Sequence, residues 1–194
     1  MSIKENDVMI IIYPKKSIPF RFMHMEELQT NPVYKSKIIG RYKKFPSNIM
    51  TTCEPSHMII SVKNEFYSID VSEGIIWDGV TSPINIGDVV RVSADTLIPT
   101  LYHDGLYANN FFDREVCDIL FKKLIDYNIQ YPEKSFIRKI VKKTSRLALI
   151  FFSKYFGGLI YYKINPSELY INNFIKITRL ESDDVRRELD KVKL

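Results

Sequence analysis

The apolar and polar positions divide the chain into a first half with strand character and a second half with helical character. Residues 7–13 form a short apolar, β-branched run ended by Pro14, the pattern of a buried strand. Residues 19–25 alternate Phe20, Phe22 and His24 with Arg21, Met23 and Met25, a weaker strand pattern. Residues 31–48 carry Pro32, Pro46 and several lysines and read as loop, with one short strand at 37–42. Residues 58–62 and 65–71 read as strands joined by the two-residue turn Lys63-Asn64, because Asn tolerates the positive φ that such turns require. Glu73-Gly74 then turns the chain into Ile75-Ile76-Trp77, which predicts an antiparallel meander. One more short strand is expected at 86–92.

Helical spacing begins after Ser93. A cap at Thr96 places Pro99 in the first turn, where its missing N–H costs nothing. This helix carries Leu101, His103, Asp104 and Tyr107. Gly105 weakens it by about 1 kcal/mol relative to Ala, which implies close approach of another backbone. Residues 108–112 turn the chain, and Asp113 caps a second helix with Val116, Leu120, Leu124 and Tyr127 on one face. The short connection predicts antiparallel pairing of the two helices. Pro132 opens a third helix over 133–156, with Phe136, Ile140, Leu147 and Phe151 on its apolar face. A strand is expected at 170–177. Ser182 caps a last helix whose thin seam of Val185, Leu189 and Val192 docks on the domain or on a neighbouring chain.

Strands first and helices afterwards predict an α+β fold: a small antiparallel sheet packed on a three-helix unit, with a C-terminal extension. In this division residues 1–92 are the β-rich part of a single domain, 93–158 the helical part, and 159–194 the extension. A length of 194 residues and an apolar content of 45% suit one globular domain. Aromatic content of 13% points to a core or an interface rich in rings.

Charge and cysteines narrow the partners. The net charge of +5 fits an acidic partner, although ordinary surface lysines are the commoner reason for such a charge. The third helix gathers Arg138, Lys139, Lys142, Lys143 and Arg146 opposite its apolar face, a stripe able to contact phosphates or an anionic surface. A solvated helix face is the commoner use of such a stripe. Cys53 and Cys117 stand far apart and outside any C-x-x-C, which excludes a disulfide scaffold and a cysteine-based zinc site. The longest apolar tract, 147–162, is interrupted by Lys154 and Gly157-Gly158 and falls short of the roughly 20 residues of a spanning helix. No transmembrane segment and no leader peptide are expected.

The candidate chemistry sits at His103-Asp104. His103 and Tyr107 are four apart and share a helix face, and Asp104 lies about 100° around from His103. Asp118 on the next helix is placed to hold one imidazole nitrogen across the hairpin, with Arg114 four residues before it. A histidine held in this way can move a proton, and Asp104 can offer an oxygen to a hard cation. The same groups also make a satisfied, non-catalytic network that pins sheet to helices. Cys117, on an apolar-flanked helix with no cationic neighbour, reads as packing.

Three elements in order carry a resemblance: Asp78-Gly79-x-Thr81-Ser82-Pro83, His103-Asp104-x-Leu106-Tyr107, and Arg114-x-x-x-Asp118. Together they resemble the phage- and prophage-borne domain of unknown function 1353, over residues 66–156. Val80-Thr81-Ser82 stands where that family usually has Ala-Ser-x. The resemblance implies phage origin rather than a reaction, with Asp78, Gly79, Ser82 and Pro83 as a structural turn beside the His103 cluster. His-Asp-x-x-Tyr is also similar to the core of the phospholipase A2 motif, which implies His103, Asp104, Tyr107 and Asp118 as catalytic groups and Asp104 with Asp78 as calcium ligands. The glycine-rich calcium loop of that motif is missing here.

The leading expectation is a bacteriophage virion component of the neck or tail region. It would act through protein–protein contacts with other virion proteins, form a homo-oligomer and use no cofactor. It would be made in the host bacterial cytoplasm and carried in the virion. The alternative is a metal-assisted hydrolase centred on His103 and Asp104, acting on lipid or cell-wall material with calcium or another divalent cation. A second alternative is nucleic-acid binding through the basic helix.

Overall fold

The computed structural model describes residues 3–30, 50–77, 94–129 and 174–192, together with Leu147. It is an α+β fold in which small antiparallel sheets pack on helices. The strands are β1 Val8–Ile12, β2 Phe20–Phe22, β3 Met50–Thr52, β4 Ser56–Val62, β5 Glu65–Val71, β6 Ile76–Trp77 and β7 Ile175–Leu180. The helices are α1 Met25–Thr30, α2 Ala94–Asn109, α3 Arg114–Ile129 and α4 Ser182–Val192. The strands expected at 37–42 and 86–92, and the third helix expected at 133–156 apart from Leu147, lie outside the described residues.

The β4–β5 hairpin is the element built most directly from local chemistry. Lys63 (φ 50°) and Asn64 (φ 66°) both adopt the left-handed conformation, the geometry whose twist matches that of the flanking strands. That turn sets the register from Val62 opposite Glu65 out to Ser56 opposite Val71. Met58, Ile60, Ile69 and Val71 face the helices and are buried there, as the two-residue period of a strand requires. β1 lies against β4, with its register shifting between Ile10 and Ile12.

Three features of the sheets differ from the sequence expectation. The Ile75-Ile76-Trp77 segment does not continue the meander beside β5. Instead β6 pairs with β3, and β3 pairs with β2, in a separate three-stranded sheet. Gly74 (φ 85°) turns the chain away from β5, and Thr52 accepts the Gly74 N–H and donates its own to Ile75 O. The place beside β5 is taken by β7, which comes after the helices. The C-terminal extension therefore supplies an edge strand of the main sheet, Ile175–Leu180; residues 170–173 of the strand expected at 170–177 lie outside the described residues. The strand pattern read over 19–25 is confined to Phe20–Phe22, and Met25–Thr30 is helix. The Arg21 guanidinium meets the Glu27 carboxylate at 2.7 and 2.8 Å, tying that helix to β2.

The helices also correct the reading of their caps. α2 begins at Ala94, so Thr96 is not its cap and Pro99 lies inside the helix. Pro99 lacks the N–H that would complete the ladder there, and burial of Leu97, Ile98, Leu101 and Tyr102 offsets that loss. Ser182 is the first residue of α4 rather than the residue before it. Glu181 O accepts from Val185 N, and Asp184 Oδ2 reaches back to Glu181 N at 3.3 Å. The docking side of α4 is marked by Val185, which is buried.

Gly105 has a different cause from the one expected. A Cβ there would overlap Cδ1 of Ile175 on β7, so the close neighbour is a buried side chain and not a backbone. Asn109 Nδ2 donates to Ile175 O at 3.3 Å one helical turn further on. Gly105→Ala is therefore expected to lower stability by about 1 kcal/mol despite the better helix propensity of Ala. Ile175→Val removes Cδ1 and should restore much of the loss in the double variant. Urea denaturation of the two single variants and the double variant checks this through the non-additivity. Strictly additive losses would refute the contact.

Candidate functional site

α2 and α3 are joined by a short turn in which Asn110 takes a positive φ of 54°. They run antiparallel, as the short connection predicts: His103 meets Asp118 and Phe121, while Tyr107, one turn on, meets Asp118. Val116, Leu120 and Leu124 enter the core, while Tyr127 is half-buried and stacks on Tyr13. This face leaves Asp118 at the helix–helix seam, where the cluster forms.

His103 is 8% exposed. Its Nε2 lies 3.2 Å from Asp118 Oδ1 and its Nδ1 lies 3.5 Å from Asp104 Oδ1. Tyr107 donates its hydroxyl to the same Asp118 oxygen. Arg114 Nε stands 3.5 Å from Asp118 Oδ2. The ring is packed between Tyr107 and Phe121, with centroids 4.1 and 4.4 Å away. Asp104 is the outward member, its side chain 40% exposed. Of the residues singled out from the sequence, His103, Asp104, Tyr107 and Asp118 thus converge. Asp78, Gly79, Ser82 and Pro83 lie outside the described residues, as do Arg138, Lys139, Lys142, Lys143 and Arg146.

The electrostatics follow from that geometry. Burial alone pushes the His103 imidazolium toward its neutral form, but the Asp104 and Asp118 carboxylates on its two nitrogens more than compensate. The net direction is upward from the ordinary histidine value. Burial, and then the Asp118 carboxylate, push the Tyr107 phenol far above its ordinary value, so it remains a donor. Burial likewise pushes the Cys117 thiol up to about 12, which suits packing and not nucleophilic attack.

A histidine whose value is raised on folding adds stability that is fully present below about pH 6.5 and is lost as pH rises through the folded value. The wild-type protein should therefore lose stability relative to His103→Gln as pH rises from about 6.5 into the alkaline range. Urea midpoints for both proteins across that range check the sign. A difference that stays flat, or that grows with pH, would refute it.

An ionised carboxylate only accepts hydrogen bonds, so the Asp118 carboxylate calls for an N–H at His103 Nε2, while burial raises the Asp104 carboxyl above its ordinary value. The arrangement favours the charged form of the imidazole between the two helices. For general-base chemistry one imidazole nitrogen must face a substrate, and here each nitrogen faces a carboxylate. The calcium role considered for Asp104 has to be set against its 3.5 Å ion pair with His103. Among the described residues no three His, Cys, Asp or Glu side chains gather as a metal would require. Among the same residues no helix is long and apolar enough to cross a membrane.

Three further polar contacts were not singled out from the sequence. His57 Nδ1 lies 2.6 Å from Asp70 Oδ1 across β4 and β5, and Ser68 Oγ donates to Asp70 Oδ2 at 3.3 Å. Counting outward from the Lys63-Asn64 turn puts residues 57 and 70 opposite each other, so this pair was within reach of the sequence. Tyr102 OH and Ser56 Oγ, 2.8 Å apart, join α2 to the sheet. No local pattern announces that contact. In comparisons with protein-family models, curated proteins and solved structures, nothing matches this chain.

Proposed function

We propose that the chain is a bacteriophage virion component of the neck or tail region, acting through contacts with other virion proteins. The observation that carries this reading is the closure of the His103 cluster. Both imidazole nitrogens face carboxylates, and the ring is packed between Tyr107 and Phe121. Such a network serves to fix the helical hairpin. Of the residues that carry the resemblance to the phage family, His103, Tyr107, Arg114 and Asp118 belong to this one network. Contacts then fall to the surface, where Phe22 and Phe111 are each more than half exposed.

Purified particles test the reading. The protein is expected in them at a fixed number of copies, measured by quantitative mass spectrometry. Its absence from particles would overturn the proposal. One observation favours the hydrolase alternative, namely the half-exposed Asp104 carboxylate beside His103. That reading requires hydrolysis of lipid or cell-wall material, abolished by His103→Ala with the fold retained. Full hydrolytic activity in that variant, or none in the wild type with added calcium, would remove it.

A further inference from the structure

We draw no further inference here: the strongest candidate, the His57–Asp70 pair on the sheet face opposite the α2–α3 hairpin, leaves a buried His57 Nε2 without a hydrogen-bond partner, but the side chain as a whole is 39% exposed and nothing among the described residues shows what covers that nitrogen or what it would bind.

Discussion

Asp118→Ala is expected to lower stability by about 2–4 kcal/mol, more than any other single change in the polar cluster. One Asp118 oxygen accepts from both His103 and Tyr107, and the other faces Arg114. Removing the carboxylate takes a partner from the buried His103 imidazole and an acceptor from the Tyr107 phenol in one step. Each buried donor left without an acceptor costs about 1–3 kcal/mol, and the costs do not simply add. Asp118 itself is 22% exposed at the side chain, so water replaces part of what is lost and holds the total below that of a fully buried pair. His103→Ala, which keeps Asp118 in contact with Tyr107 and Arg114, is expected to cost about 1–3 kcal/mol. Asp118→Asn keeps an acceptor oxygen and should fall between wild type and Asp118→Ala. Equilibrium urea denaturation measures all three. An Asp118→Ala protein within about 0.5 kcal/mol of wild type would show that the cluster does not hold the hairpin together.

Leu101→Ala is expected to cost about 2–5 kcal/mol. Leu101 is fully buried on α2, in the core that this helix shares with the sheet and with α3. That core is built from residues of several helices and strands, so closing a cavity in it requires moving a whole element. The loss should appear as a lower urea midpoint with an unchanged slope, the sign of altered stability without a change in compactness. Phe111→Ala is the control: its ring is 54% exposed, and truncation should change stability far less. A Leu101→Ala loss below about 1 kcal/mol would mean that the α2–sheet interface repacks freely, against the arrangement described.

Much of the local architecture is legible in the sequence. Lys63-Asn64 announced the hairpin, and a two-residue turn leaves one register, which carries His57 to Asp70. Helical spacing placed His103 and Tyr107 on one face, and the short connection brought Asp118 to them. Cys117 read as packing and is fully buried. Missed features share a different character. Strands β3 and β6 have three and two residues, too few for an alternating pattern to register. Pro99 and Thr96 looked like a helix start, yet α2 begins earlier, because burial of its apolar residues outweighs the local preference of one proline.

The sequence by itself determined the elements whose cause lies within a few residues: the β4–β5 turn, the helical hairpin, and the shared face of His103 and Tyr107 with Asp118 opposite. Each follows from backbone sterics or helical period acting within one strand pair or one helical hairpin. Only the tertiary structure decided which strands become neighbours. β7 reaches β5 from more than a hundred residues away, and β6 leaves β5 for β3. Such pairings are chosen by competition among distant segments for the same backbone donors and the same buried face, and no short window of sequence contains that comparison. The same competition explains Gly105: its neighbour, Ile175, belongs to the strand that won the place beside β5.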